Sequence, residues 1–474
     1  MNRTAKAFCE NAIETLALTA IVSAIVLQGV FPRELLNALA LSLLGAAFCL
    51  WLGLRLFAAT AGGGPSAGAF CEAWGRSSLS IWLLLLALGA LVVLQTVPLP
   101  ASLVERISPK RAEWQREFGQ LLPELRMDSI PLSVHEESTR RALVPFAAAL
   151  LAFFAGGLIG SRRHRARRAV FWLLACSVLV ALYGLLEQLS GHRQILWIPY
   201  EGDYARGTFF NRNHFAALLA MFAPVAVGWM YFRSGAPHLD DEEAAMPATP
   251  WDVFFTRQGL WLLAPAALAL GVIQSWSRGG FASMVVGLAL MLVLGFRGKM
   301  SRSAGILGLL LGAVLFAYSL NSDYEIVLDR FSQVANERDS PLSRTTIWKN
   351  SIPIARDYRW FGVGLGNFPA VYRQYEQASP SSYPYQAHNE WLEALISLGA
   401  IGAAILGLCV FLIAAKSFSR IHKTSDDFPW LLGAWCGLIG FAFHCVCEFN
   451  MHILGLSLTA SFLAGILVRI RVSR

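Results

Sequence analysis

Apolar runs of about 18 to 22 residues recur along the chain, separated by shorter polar segments. Strands of a transmembrane barrel are about 10 residues long and alternate in polarity, so the pattern excludes a barrel. It indicates an all-α, polytopic integral membrane protein. The runs predict twelve spans, at residues 12–31, 35–58, 78–97, 142–160, 169–188, 214–232, 258–275, 279–297, 303–320, 391–415, 430–447 and 453–470.

Two long polar segments interrupt this pattern, at residues 98–141 and 321–389. The second is too long for a bare connection, which predicts a small helical loop domain. In the first, Trp114, Phe118 and Leu122 recur at helical spacing and predict a helix lying on the membrane surface. We therefore divide the chain into N-terminal helices with the first loop, a central bundle, the large loop and C-terminal helices, at residues 1–141, 142–320, 321–389 and 390–474.

Composition agrees with a membrane protein and explains the positive charge. Only 15% of the 474 residues are charged, against about 25% in soluble domains. The net charge of +8 comes largely from short basic segments between the spans, of which residues 162–168 are the strongest. Basic loops mark the cytoplasmic side, so we predict cytoplasmic termini and two periplasmic loops. The charge does not call for a nucleic-acid partner.

Arg278 lies in a turn of a few residues between two apolar runs, with no acidic neighbour. An arginine at membrane depth is costly without a partner. It either extends to the interface or binds an anionic ligand together with Arg206, because guanidinium groups bind phosphate bidentately. Arg344 is a third candidate, although Asp339 could pair with it. Two or three arginines on one face suit a diphosphate.

His388 stands between the second polar loop and the apolar run at residues 394–415. It is either a surface histidine beside a helix start or a general base. As a base it would take a proton from an acceptor hydroxyl while the arginines stabilise a departing diphosphate. Glu390 and Glu393 would fall in the first helical turn, where carboxylates complement the helix dipole. Either could also orient the imidazole.

Other polar residues predicted on the same face are candidate substrate-binding groups. Asn211 and Asn213 suit sugar hydroxyls or helix caps equally well. His444 and Glu448, four residues apart, would share one helix face, but that spacing is only a weak sign of a metal site. The predicted chemistry needs neither metal nor cofactor. The substrate-binding set is Arg344, Asn211, Asn213, Asn389, Glu390, His444 and Glu448.

Three glycines at alternate positions, Gly362, Gly364 and Gly366, could be compared with a phosphate-binding loop. No strand precedes them and no lysine follows, so they do not match a nucleotide-binding motif. They predict a tight turn against the loop domain instead.

At these motifs the sequence resembles the superfamily of O-antigen ligases and Wzy-type O-antigen polymerases. The similarity covers roughly residues 200–415. It rests on the block at 207–213, the turn at 277–280, Arg344 with Trp348, the glycine run at 361–368 and the segment at 388–392, which leads into residues 398–402. Residues 131–139 and 444–452 also look like those of exopolysaccharide polymerases.

The resemblance implies a GT-C-like, metal-independent glycosyltransferase of the bacterial inner membrane. Its donor would be a glycan on undecaprenyl diphosphate, used at the periplasmic face. Arg206 and Arg278 would bind phosphate, and His388 would activate the acceptor. The acceptor would be another lipid-linked repeat in a polymerase, which residues 211–214 and 444–452 favour, or lipid A–core in a ligase. A chain-length regulator would be a further partner.

Two other classes are weaker interpretations. A small-anion transporter of the bicarbonate type should carry ionisable residues in mid-span, whereas polar chemistry gathers here at one face. A non-catalytic scaffold would leave Arg206, Arg278 and His388 unexplained. The sequence does not specify the sugar, the linkage, the chain length or the oligomeric state.

Overall fold

The computed structural model describes residues 3–60, 78–121, 128–234, 257–295, 343–376, 384–421 and 427–470. These residues form a helical bundle with two very short antiparallel pairings, β1 (Leu99–Pro100) with β2 (Ser129–Ile130) and β3 (Gln194–Ile195) with β4 (Ile198–Pro199). The helices are α1 (Arg3–Val26), α2 (Arg33–Thr60), α3 (Leu79–Gln95), α4 (Ala101–Ile107), α5 (Pro109–Leu121), α6 (Glu136–Gly160), α7 (Arg163–Ser190), α8 (Arg212–Ser234), α9 (Arg257–Gln274), α10 (Arg278–Gly295), α11 (Arg344–Asp357), α12 (Phe368–Tyr375), α13 (Glu390–Ile421), α14 (Phe428–His444) and α15 (Leu454–Arg469).

The predicted spans correspond closely to these helices. Seven helices are long and apolar enough to cross a membrane, and α3, α14, α15 and the apolar part of α9 are shorter apolar helices. Together they account for eleven predicted spans, while the span at residues 303–320 lies outside the described residues. The protein is therefore a multi-pass helical membrane protein. Helix α13 continues six residues beyond its predicted end, and α14 stops at His444 rather than at residue 447.

Helix α8 is the most enclosed span, with 89% of its apolar window buried. It packs closely on α14 because glycines replace larger side chains at the contact. A Cβ atom on Gly437 would lie 2.0 Å from the Met221 carbonyl oxygen, and one on Gly228 would lie 2.2 Å from that of Pro429. Such small-residue contacts are the usual way for membrane helices to associate, since lipid gives no hydrophobic drive between them.

One end of the bundle collects the segments predicted to be cytoplasmic. The basic segment at the start of α7 forms ion pairs with Glu10 and Glu14 of α1 and with Asp427 just before α14. We call this end the basic face. Arg168 binds Glu14 through two hydrogen bonds of 2.6 Å each, in bidentate fashion. The predicted grouping is thus observed for the described segments, whereas residues 235–256, 297–299 and 471–474 lie outside them, and the side of the membrane stays a prediction.

At the other end, both long polar loops contribute to one helical cap. Helices α4 and α5 come from the first loop, and α11 and α12 from the described part of the second. Trp114 of α5 is only 9% exposed and belongs to a core cluster that includes Ile347, Phe368 and Tyr372. The expectation that Trp114 lies on the membrane surface is therefore wrong, because the second loop covers it. The predicted helical character of that loop is confirmed where it is described.

Helix α13 is broken at Gly399, whose φ of 67° and ψ of −178° are not helical. The glycine run of the cap fills the break. Val363 and Gly364 donate main-chain hydrogen bonds to the carbonyls of Ile396 and Ser397, at 2.9 and 3.1 Å. In return, the amides of Ala400 and Ile401 donate to the carbonyls of Arg359 and Trp360. Although the helix is broken, its backbone groups at the break are hydrogen-bonded to the cap, as an apolar environment requires.

The glycines are needed for this close approach. Gly362 has a φ of 71°, and a Cβ there would lie 2.4 Å from the Ser397 carbonyl oxygen. Buried Gln95 of α3 completes the junction, since its amide nitrogen donates to the Phe361 and Ser397 carbonyls at 2.6 and 2.8 Å. The glycine run therefore forms the predicted tight turn.

Candidate active site

A buried carboxylate, Glu448, lies at the centre of the predicted site. Its side chain is fully buried in the turn between α14 and α15. One carboxylate oxygen of Glu448 accepts from Arg344 at 2.7 Å and from the side-chain amide of Asn213 at 2.6 Å. The other oxygen pairs with His388 Nδ1 at 2.7 Å. A buried carboxylate is tolerated only when charged and hydrogen-bonding partners compensate its lost hydration. Glu448 therefore joins four separate parts of the chain.

Glu448 is ionised in this setting. Burial alone would raise its pKa, but the hydrogen bond and charge of His388, followed by the charge of Arg344, outweigh burial and lower the pKa to about 2. An ionised carboxylate only accepts hydrogen bonds, so His388 Nδ1 must be the donor. When His388 is neutral, its Nε2 is consequently a proton acceptor.

His388 is held in an unusual conformation. Its φ is 49°, in the left-handed region that a non-glycine residue occupies at a cost of about 1–3 kcal/mol. The ring of Phe449 packs edge-on against the imidazole, with ring centroids 4.8 Å apart. Phe449 also packs against the ring of His214, at 4.7 Å. Strain of this kind persists only where the surroundings fix it, which is typical of functional positions.

A second histidine, His452, is bound to the first turn of α13. Its Nδ1 lies 3.2 Å from a carboxylate oxygen of Glu390 and its Nε2 lies 3.2 Å from one of Glu393. Burial by itself would lower the pKa of His452, but the charges and hydrogen bonds of both carboxylates raise it well above the usual value. Glu390 and Glu393 therefore bind His452, and Glu448 orients His388 in their place.

The three candidate arginines differ in their surroundings. Arg278 is exposed and makes no hydrogen bond or ion pair with the described residues. Arg344 pairs with Glu448, whereas the alternative partner Asp339 lies outside the described residues. Arg206 is 6% exposed. Its guanidinium lies over the rings of Tyr200 and Tyr204, and it donates to the carbonyls of Glu201 and Phe210.

Contacts between turns connect Arg278 and Arg206 to this region. The hydroxyl of Ser277 accepts from the Gly280 amide and starts α10. A Cβ on Gly279 would lie 2.8 Å from His444 Nε2, so this turn packs directly on the end of α14. The Tyr204 ring lies 6.2 Å from that of Trp276, which brings the Arg206 loop beside the same turn.

Several predicted substrate-binding residues have structural contacts instead. Asn211 accepts from the Asn213 amide, and Asn389 accepts from the amides of Trp391 and Leu392, so both asparagines cap helices. His444 is 1% exposed and ends α14. The expectation that His444 and Glu448 share one helix face is wrong, because the helix has stopped before Glu448. Direct sugar contact does not suit two side chains that are so deeply buried.

An elongated cavity of about 1200 Å³ begins at His388 and continues between α2, α3, α6, α13, α14 and α15. Its polar lining lies where α2, α6 and α13 begin and includes Arg33, Arg141, His388 and Glu390. The rest of the wall is mainly apolar and extends to Ile413 and Ala464. Such a cavity suits an amphiphile with a polar head and a long hydrocarbon tail. The three candidate arginines do not line it.

Among the positions that the structure describes, no group of three His, Cys, Asp or Glu side chains is arranged to hold a metal ion. The described residues supply a histidine–carboxylate pair, an exposed guanidinium and an apolar cavity, in a multi-pass membrane protein.

Residues 263–407 match the O-antigen ligase family (Wzy_C). The match covers less than half of the chain, and it confirms the resemblance predicted from the motifs. The matched region contains Arg278, Arg344 and His388, whereas Arg206 and Glu448 lie outside it. The family implies a glycosyl-transferring enzyme of the ligase or polymerase type, with glycan and lipid-linked substrates. No curated protein matches the chain.

The sequence interpretation missed His452 as a partner of the first turn of α13. A signal was present in the charge pattern. The segment that contains His388, Glu390 and Glu393 carries one histidine and two carboxylates, and the segment that contains Glu448 and His452 carries one of each. Complementary spacing of this kind can suggest that two segments pair, but it does not show which residues meet.

Proposed function

We propose that this protein is a membrane glycosyltransferase that polymerises glycan repeats carried on undecaprenyl diphosphate. The observation that carries the proposal is the His388–Glu448 pair at the polar end of an apolar cavity. The cavity supports a donor whose hydrocarbon chain lies among the helices. The pair supports activation of a hydroxyl beside the donor's head group. We further propose that the site faces the periplasm of a bacterial inner membrane and that both termini are cytoplasmic.

His388 would act as the general base. Its Nδ1–H is held by Glu448, so its Nε2 accepts the proton of the acceptor hydroxyl. The acceptor oxygen bonds to the anomeric carbon of the donor sugar. As that bond forms, the bond from the anomeric carbon to the diphosphate oxygen breaks, and its electron pair leaves on the diphosphate. Glu448 stabilises the imidazolium that forms, and no metal ion is required.

Arg278 is the stronger candidate for binding the diphosphate, because its charge is exposed and unpaired within the described structure. The family resemblance assigns phosphate binding to Arg206 as well. However, its guanidinium already donates to two carbonyls. We therefore propose that Arg206 mainly shapes the loop before α8. Arg344, paired with Glu448, would help to keep that carboxylate ionised.

The description of the matched family favours one alternative, an O-antigen ligase that transfers the glycan to lipid A–core. The two functions are separated by giving purified protein lipid-linked repeats alone. Polymer formed without lipid A–core supports the polymerase and excludes a pure ligase. A reaction that starts only when core is added contradicts the polymerase.

The same polymerisation assay tests whether His388 is the general base. Replacing His388 with alanine should lower turnover by about 10²–10⁴-fold, the usual contribution of a positioned acid or base. His192 provides a matched control, since it is an exposed histidine that also pairs with a carboxylate, that of Glu187. The variant His192→Ala should retain normal turnover. Equal turnover in the two variants would contradict the assignment.

A further inference from the structure

We propose that His452 is a positioning residue for His388, acting through a clamp that it forms with Glu390 and Glu393. The inference rests on the proposed function in one respect only, namely that His388 is the base. The clamp itself is a property of the fold and can be tested without the reaction.

Two segments hold each other by a reciprocal exchange. The start of α13 supplies His388, which binds Glu448 of the opposite turn. That turn supplies His452, which binds Glu390 and Glu393 of α13. The Glu390 carboxylate also accepts from the amides of Met451 and His452, so backbone and side chain are both fixed. The turn therefore cannot shift without disturbing both histidines.

The clamp reaches His388 through the preceding residue. The second oxygen of Glu393 accepts the main-chain N–H of buried Ala387 at 2.9 Å. The Ala387 carbonyl accepts from Trp348 Nε1, also at 2.9 Å. With both of its peptide groups held, Ala387 fixes the left-handed backbone of His388. His452 thereby determines where the His388 ring points.

The charge on His452 is what keeps the clamp closed. Without it, the carboxylates of Glu390 and Glu393 would face each other in one helical turn and repel. Among the described residues, Arg33 also contacts His452, and it donates to the His452 carbonyl and not to its ring. Repulsion would move Glu393 away from Ala387 and release the strained His388 backbone.

The first test separates turnover from binding. The variant His452→Gln should lower kcat by about 10- to 100-fold, as loss of a supporting partner typically does. KM for the lipid-linked donor should change by less than about threefold, because the base acts after binding. The variant His452→Arg keeps a charge with several donors and should recover part of kcat. Wild-type kcat in His452→Gln, or no advantage of arginine over glutamine in equally folded proteins, would overturn the proposal.

The second test does not depend on activity. Full-length protein labelled with ¹⁵N-histidine is placed in nanodiscs, and the signals are assigned by single His→Gln variants. Wild-type His452 should have both ring nitrogens protonated at pH 7.5, and His452→Gln should change the Nδ1 signal of His388. A neutral His452 in the wild type overturns the clamp even if a variant fails to fold. An unchanged His388 signal in the variant overturns the coupling.

The two tests fail differently. If the protein transfers no glycan, the kinetic test has no signal, but the spectra still report on the clamp. If the clamp is wrong, the spectra fail while wild-type polymerisation persists.

Discussion

The arginines of the basic face and the three candidate arginines of the active site have different surroundings. At the basic face, five arginines of the segment at 162–168 share three carboxylates, those of Glu10, Glu14 and Asp427. At the site face, Arg278 is exposed without a protein partner in the described residues, and Arg206 is bound by aromatic rings and carbonyl oxygens rather than by a carboxylate. Of the three candidate arginines, Arg344 is the one that pairs with a carboxylate in the described structure, and that carboxylate also binds His388.

This difference separates structural charge from charge that can serve a ligand. Carboxylates at the basic face form ion pairs with these arginines and tie α1, α7 and α14 together. An arginine whose charge the protein does not neutralise can bind an anion without first breaking an ion pair. The comparison therefore predicts that substitutions at the two faces affect different properties, and each prediction below tests that division.

The largest effect is expected at Arg278. The variant Arg278→Ala should lower kcat by about 10²–10³-fold, because a charge aimed at the departing diphosphate is lost. Its thermal unfolding should be unchanged, since the side chain is exposed and has no partner among the described residues. Turnover of lipid-linked repeats and melting in detergent are measured together. Arg278→Lys, which keeps the charge but not the bidentate geometry, should recover only part of the rate. Normal polymer in Arg278→Ala would remove the distinction between the faces.

The reverse result is expected at Glu14. This carboxylate is buried and compensates Arg165 and Arg168. Glu14→Ala should lower the free energy of unfolding by about 2–4 kcal/mol, somewhat below the cost of breaking a fully buried pair because Arg168 is half-exposed. Denaturant titration in detergent measures this change. Specific activity per folded molecule should stay normal, and a loss of turnover at unchanged stability would contradict the prediction.

The smallest expected effect is a difference between the wild type and His452→Gln in how the free energy of unfolding depends on pH. Because the pKa of His452 is raised in the folded protein, its pairing with Glu390 and Glu393 contributes fully below pH 6.5. That contribution is lost as pH rises through the raised pKa. The wild type should therefore lose on the order of 1–3 kcal/mol at alkaline pH, the value of hydrogen bonds between charged groups. His452→Gln should lack this loss, and identical pH profiles of unfolding would contradict the prediction.

The membrane spans could be predicted because the signal is local. Each span is a run of apolar residues, and lipid requires such a run to be helical. The kink at Gly399 could not be predicted in this way, because glycines are frequent in membrane helices and most cause no break. It depends on the cap loop, whose residues 359–364 lie far away in the sequence. The covering of Trp114 was missed for the same reason, since it needs the second loop.

The site shows a similar division. His388 and Arg278 could be selected as candidates because polar residues at helix ends are conspicuous among apolar runs. The contacts of Glu448 could not be predicted, because its three partners come from three other segments of the chain. Sequence spacing placed it on one helix face with His444, yet the helix ends between them. The fold decides which carboxylate binds which histidine. Here Glu448 binds His388, whereas Glu390 and Glu393 bind His452.

The break in α13 has a consequence for how the protein is assembled. The main-chain groups around Gly399 find their partners in residues 359–364, so the cap acts as part of the membrane helix itself. A chain lacking the cap would leave several backbone groups unpaired in apolar surroundings, each at a cost of several kcal/mol. The cap is therefore not a detachable module. Exchange of this loop between related proteins should succeed only when the donor brings its own glycine turn and the matching helix together.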